Sequence, residues 1–174
     1  MKRIITIFGL AGTGTSTCGK ILAEKLGYEF ISTGNMVRKI ADEYGMDLHD
    51  FEKRLKENPE IDKKLDQKIT KIGKEKDNLV IDSRLAWYFI PHSFKVKFLC
   101  DNDVRIQRVA DRDGIPFEEA ENQTLHRESL HVEKYRDLYG IDDYENDINF
   151  DLVIESTNLD QNNLVNKIIQ FIDK

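Results

Sequence analysis

The sequence predicts an α/β fold, a five-stranded, mainly parallel sheet covered by helices on both faces. Three observations carry this expectation. Five short apolar runs alternate with stretches whose apolar residues recur at helical spacing. The first run opens into a glycine-rich turn and then a helix, in residues 4–20, IITIFGLAGTGTSTCGK. No internal repeat or low-complexity linker interrupts the 174 residues, so one domain over residues 1–174 is expected, at roughly 100–200 residues per domain.

The elements follow in order. Residues 4–8 form a continuous apolar strand ended by Gly9; Cys18, Ile21, Leu22 and Leu26 then mark one helix face, with Gly27 as its stop. Residues 28–31 give the second strand. Val37, Ile40, Ala41 and Tyr44 stripe the next helix, closed by Gly45. Asp47 is placed as an N-cap, with Met46 and Phe51 spaced as a hydrophobic staple. Asn58-Pro59 signals a further helix, Asn as cap and Pro at the first position, with Ile61, Leu65 and Ile72 on its buried side. Residues 79–81 and 96–100 are the third and fourth strands. Residues 101–113 read as a short helix ended by Gly114, and residues 116–139 as a longer, very polar helical region. Residues 152–154 supply the last strand, and Leu164, Val165, Ile168, Ile169 and Ile172 the clearest amphipathic helix. Ligands in such sheets bind beyond the carboxyl ends of the strands, which points to the segments just after Phe8, Ile31, Ile81 and Ile154.

Composition narrows the function classes. The net charge of −6 gives no global attraction to nucleic acid or an acidic membrane, and the interspersed signs suit solvated helix faces. Cys18 and Cys100 lack disulfide or metal-ligand spacing, and no basic region precedes a long apolar stretch. A cytoplasmic, soluble chain is expected.

The glycine-rich turn has the spacing of a phosphate-binding loop, a glycine, four residues, a second glycine, then Lys and Ser/Thr. Gly9, Gly12 and Gly14 let backbone N–H groups approach an anion, and the N-terminus of the following helix faces the same spot. Ser16 is placed to hold Mg²⁺, but the lysine position is Thr15. A unit charge about 4 Å from a phosphate oxygen is worth on the order of 4 kcal/mol at an effective dielectric near 20. Lys20, about 7.5 Å further along the helix, is a poor substitute. Cations from elsewhere in the chain are therefore needed.

Candidates stand at the other strand ends. In STGNMVRK, residues 32–39, Thr33 and Gly34 open a helix whose first turns present Arg38, either a second phosphate ligand or a solvated surface residue. In LVIDSR, Asp82 ends an apolar strand as a metal carboxylate would, though Asp also caps turns, and Arg84 follows. Arg108, Arg112, Arg127, Lys134 and Arg136 crowd a segment with few apolar anchors and many glutamates. It reads either as a salt-bridged exposed helix or as a mobile lid, with Arg112 and Arg127 ahead of Arg108 as catalytic candidates.

GLAGTGTST, STGNMVR, VIDSRLA, RES…KYRDLYGID and DLVIESTNL occur in the order found in the short, archaeal-type cytidylate kinases of the nucleoside monophosphate kinase group. The chain resembles that family from about residue 3 to 172, and the branch shares threonine at the lysine position. The resemblance implies a P-loop NTPase-type fold with a helical monophosphate-binding lobe over about residues 34–76 and a short lid over about 108–136. It also implies transfer from ATP to CMP or dCMP with Mg²⁺. ATP would be held by Gly9, Leu10, Ala11, Gly12, Thr13, Gly14, Thr15, Ser16 and Thr17, with Thr157 and Asn158 near its base. Thr33, Gly34, Arg38, Lys68 and Arg84 would face the monophosphate, Ser16 and Asp82 the metal, and Arg108, Arg112 and Arg127 the reacting phosphates. The partners expected are small-molecule nucleotides, with the chain a monomer and neither nucleic acid nor membrane involved.

Four positions depart from the wider family. An acid after Arg84 becomes Leu85, an arginine becomes Lys68, and an acid and an arginine become His131 and Lys134. They read as drift within a branch or as altered base preference, and His131 by itself as a surface helix residue. Rival readings are another small-molecule kinase of this architecture and a non-catalytic nucleotide sensor.

Overall fold

The computed structural model describes residues 3–58, 60–158 and 160–172. Five strands, β1 (Ile4–Gly9), β2 (Glu29–Ser32), β3 (Leu79–Asp82), β4 (Phe94–Leu99) and β5 (Leu152–Glu155), form one sheet in the order β2-β3-β1-β4-β5. Every pairing is parallel. The helices are α1 (Thr15–Leu26), α2 (Thr33–Glu43), α3 (Leu48–Glu57), α4 (Glu60–Glu75), α5 (Ala86–Phe89), α6 (Asn102–Asp113), α7 (Phe117–Tyr139) and α8 (Gln161–Ile172).

Strand β1 is central, and its alternation feeds both faces of the sheet. Ile5 and Ile7 pack with Val96, Phe98, Leu22 and Leu164 under α1 and α8. Ile4 packs with Leu79, Ile81, Ile69 and Ile90, while Phe8 joins Leu85, Trp87, Tyr135 and Tyr144. The opposite face is thus covered by α4, α5 and the end of α7. Such two-sided burial is why the strands read as continuous apolar runs.

Local signals placed most of the boundaries. Gly27 and Gly114 adopt left-handed C-caps, Asp47 Oδ1 accepts from the Asp50 N–H at 2.8 Å, and Met46 packs near Phe51. Asn58 closes α3, and the expected Pro59 start lies outside the described residues. Strand β4 begins earlier than expected, at Phe94, because Phe94 and Lys95 already pair with Ile5 and Thr6. The one-turn α5 was too short to show a period.

The largest departures concern α4 and α7. Helix α4 buries Asp62, Ile69 and Gly73, while the expected Ile61, Leu65 and Ile72 are only half-buried. Helix α7 is anchored at both ends rather than loosely packed. Ala120 sits among Ile106, Val109 and Ala110 at one end, and Tyr135 among Phe8, Leu85 and Trp87 at the other. The anchors belong to two separate clusters, so no single stripe was visible. Among the described residues no helix is long and apolar enough to cross a membrane.

Candidate active site

A cavity of about 670 Å³ opens beyond the carboxyl ends of β1, β2 and β3, where such sheets bind ligands. Its floor is the loop from Gly9 into α1. Gly12 has φ +83°, and a Cβ there would lie 2.0 Å from the Arg105 carbonyl oxygen, so α6 abuts the loop's backbone. A Cβ on Gly9 would meet Thr13 Oγ1 at 2.3 Å. Thr13 turns inward, its hydroxyl donating to the Leu10 carbonyl at 2.8 Å. Helix α1 starts after Gly14 without a side-chain cap, so its first amides keep no side-chain acceptor and face the cavity as donors.

Asp82 and a ring of hydroxyls form the next layer. The register sets Asp82 opposite both Ile7 and Ser32. Ser16 Oγ donates to Asp82 Oδ2, Ser32 Oγ does so at 3.1 Å, and the buried Thr15 hydroxyl also bonds this carboxyl. Burial pushes the Asp82 pKa up, and the hydroxyls and Arg84 offset this only in part. Thr15 thus faces Asp82 rather than supplying charge to the loop.

Guanidiniums converge on one wall. Burial and then the charges of Arg112 and Arg127 lower the Arg38 pKa, which places the three side chains within mutual electrostatic reach. Arg127 is gripped by Glu52 of α3 at 2.5 and 2.9 Å. Arg112 pairs with Asp113 at 2.7 Å and stays partly exposed. Burial works against the charge of Arg84, but Tyr135, Tyr144, Glu128 and Glu52 outweigh it and raise its pKa. Its Nη1 is buried without a hydrogen-bond partner.

The opposite wall is acidic. Asp62 and Asp66 of α4 line the cavity, Lys134 Nζ lies 3.2 Å from Asp62 Oδ1, and the Tyr139 hydroxyl donates to Asp66 Oδ2. Burial, then the Asp62 charge, raises the Asp66 pKa against the bond from Tyr139 and the Lys134 charge. His131 is no surface residue. Its ring lines the cavity, stacked on Tyr135 with planes 4° apart, and burial followed by Arg84, Lys134 and Arg127 holds its pKa well below 6.5.

Most of the expected residues meet here, namely Gly9, Leu10, Ala11, Gly12, Gly14, Thr15, Ser16 and Thr17 of the loop, with Thr33, Gly34, Arg38, Asp82, Arg84, Arg108, Arg112 and Arg127. Four differ. Lys68 is exposed on α4 and off the cavity wall. Asn158 lines a separate groove with Lys167 and Phe171, and the Thr157 hydroxyl is engaged by Asp101 N–H at 2.8 Å and Glu155 at 2.5 Å. Arg108 lines the cavity but donates to the carbonyls of Gly12, Ser156 and Thr157 at 3.4, 3.5 and 3.0 Å, bracing the loop. Leu85 is buried in the aromatic cluster, which excludes an acid there without rearrangement. Lys20, by contrast, does line the cavity.

Sequence reasoning missed Glu52, Asp62, Asp66, Gln161 and the buried Arg105–Glu128 pair, which joins α6 to α7 at 2.8 and 3.0 Å. One signal was present. Asp62, Asp66, Ile69 and Gly73 share the face of α4 that carries its buried residues, so two carboxylates occupy core-facing positions.

A glycine loop on a helix N-terminus, a strand-end aspartate and converging arginines at the end of a parallel sheet define a phosphate-loop kinase. The fold agrees, since shikimate kinase from Bacteroides thetaiotaomicron superposes with TM-score 0.67 over 100% of both chains at 15% identity. The sequence pattern of the cytidylate kinase-like family matches residues 4–158, and the chain belongs to that family. Cytidylate kinase from Methanobrevibacter smithii is 35% identical over 95% of this chain and 96% of its own length. An S-adenosylmethionine-dependent nucleotide dehydratase from Lacinutrix mariniflava is 37% identical over 100% of this chain, which spans 37% of that protein.

Proposed function

We propose that the chain transfers the γ-phosphoryl group of ATP to CMP or dCMP, giving ADP and CDP or dCDP. The observation that carries this reading is the junction, in one cavity, of the phosphate loop with Arg38, Arg84, Arg112 and Arg127, in a chain of the cytidylate kinase-like family. The loop amides and the α1 N-terminus would hold the donor phosphates. Arg38 and Arg84 would hold the acceptor phosphate, and Arg112 and Arg127 would neutralise charge developing between them. The acceptor phosphate is already a competent nucleophile, so no side chain need remove a proton. Catalysis is then positioning, charge neutralisation and exclusion of water.

Ser16 and Asp82 fit a magnesium ion. Their oxygens are adjacent, the carboxylate is surrounded by hydroxyls, and Mg²⁺ commonly takes one or two carboxylates together with substrate phosphates. Ser16 and Asp82 would hold the ion, and the chemistry supplied there would be withdrawal of charge from the donor phosphates.

A panel of acceptors (CMP, dCMP, UMP, AMP and shikimate) incubated with ATP and Mg²⁺ and read as ADP release tests the reading. Turnover with CMP or dCMP is expected. Tight ATP binding with no turnover on any acceptor would instead mark a sensor.

A further inference from the structure

Arg105 is the largest fully buried side chain among the described residues, and it stands behind the cavity rather than in it. Its Nε donates to Asn102 Oδ1 at 2.8 Å, and its Nη1 and Nη2 donate to the two carboxylate oxygens of Glu128 at 2.8 and 3.0 Å. Nη1 also reaches the Ala11 carbonyl at 3.5 Å. With the Arg105 carbonyl pressed against Gly12, one residue touches the phosphate loop through its main chain and α7 through its side chain. On α7, Ala120, Thr124 and Glu128 recur at every fourth position and form one row. Ala120 packs on Ile106, Val109 and Ala110 of α6, Thr124 is buried, and Glu128 ends the row on Arg105. The neighbouring row, Arg127, His131 and Lys134, lines the cavity. On α6, Arg105, Arg108 and Arg112 share a face, and the last two line the cavity. Apolar side chains of similar volume often hold two helices at least as firmly as a buried ion pair. What a two-pronged guanidinium–carboxylate contact adds is direction, because it fixes the rotation of both helices as well as their distance.

We propose that Arg105 and Glu128 are a positioning pair that couples the phosphate loop to the arginine-bearing faces of α6 and α7. The pair holds loop and helices in one register, so that phosphates on the loop meet Arg112 and Arg127 in line. Neither residue touches a nucleotide. The assignment rests on the phosphoryl-transfer reading for what that register serves. Register matters because a misplacement of about 1 Å can slow such a reaction roughly 10²-fold. The pair suits this task because it joins α7 to the backbone that carries Gly12, and Glu128 is the residue next to Arg127. A shift of the loop is thereby passed to Arg127 through one ion pair.

The double substitution Arg105→Met with Glu128→Leu tests this, because it removes both charges and leaves neither partner buried alone. Its melting temperature should equal or exceed that of the wild type. Its kcat should fall about 10²-fold, with the Michaelis constants for ATP and acceptor little changed, the signature of an effect confined to the transition state. Amide hydrogen exchange with ATP and Mg²⁺, without acceptor, reads the coupling apart from chemistry. In the wild type, protection should extend from loop residues 9–17 to residues 124–131 of α7, a result that needs no variant to fold. In the double variant it should stop at the loop. An undiminished kcat would overturn the proposal. So would a loss of kcat matched by a lower melting temperature or by raised Michaelis constants for both substrates, since the pair would then be merely structural. Protection of α7 in both proteins, or in neither, would overturn it as well. If protection spreads as expected yet no acceptor is phosphorylated, the kinase reading falls and the coupling stands.

Discussion

The floor and the roof of the cavity are built on different rules. The floor is one contiguous stretch, residues 9–17, fixed by backbone contacts such as Gly12 against the Arg105 carbonyl and by hydroxyls pointing at Asp82. The roof gathers side chains from α2, α3, α4, α6 and α7 together with Arg84 from the loop after β3, tied by ion pairs between distant segments, Arg127 with Glu52 and Lys134 with Asp62. Fixed dipoles can grip an anion without rearranging, whereas paired charges must trade partners when a ligand arrives. Thr15 belongs with this contrast. The loop carries no ammonium at that position, so on the proposed reading most of the charge for the phosphates would come from the roof.

The largest expected effect breaks the roof alone. Arg84→Ala should lower kcat/KM for CMP by about 10²-fold or more, as truncation of one partner of a buried, hydrogen-bonded charge pair does. Its ATP affinity should stay close to wild type, read by nucleotide titration; an equal loss of ATP binding would move Arg84 to the floor. Next, Gly12→Ala should damage the floor, because the residue would carry positive φ and crowd a backbone carbonyl. A strain of about 1–3 kcal/mol is expected, lowering the Tm by about 2–4 °C for each kcal/mol in a chain of this size, with weaker ATP binding.

A smaller effect is set by pH. His131 has a folded pKa below its ordinary value of 6.5, through burial and the nearby Arg84, Lys134 and Arg127. The unfolded chain therefore binds the proton first, so stability is unaffected above about pH 6.5 and declines as pH falls below it toward the folded value. Thermal melts from about pH 7 to 5 should show this decline in the wild type and a reduced one in His131→Gln. The smallest effect is a null. Lys68→Ala should leave CMP kinetics within about twofold, since exposed substitutions away from special features are nearly neutral; a large rise in the Michaelis constant would bring α4's outer face into the roof.

The same contrast explains what the sequence made legible. The strands and the floor depend on local spacing: apolar runs, glycines, caps and the hydroxyl at Ser16, all readable in one window. The arginines were readable as types, but their partners were not. Nothing near Arg127 announces Glu52, which is 75 residues away, and the bracing role of Arg108 depends on carbonyls from two other loops. Lys68 came from the family resemblance, which carries a residue type along a helix but not the side of α4 it falls on, and here that side is exposed. The carboxylates at Asp62 and Asp66 interrupt the stripe they share with Ile69, and there a local rule gives way to the needs of the cavity.

The grip of Glu52 on Arg127 has a consequence for turnover on the proposed reading. With both oxygens of one carboxylate already facing that guanidinium, an arriving nucleotide would substitute one anion for another and leave no bare cation. The same carboxylate would be at hand to reclaim the arginine as the diphosphate leaves. Such a swap would soften the hold on both substrate and product and favour rapid exchange over tight retention.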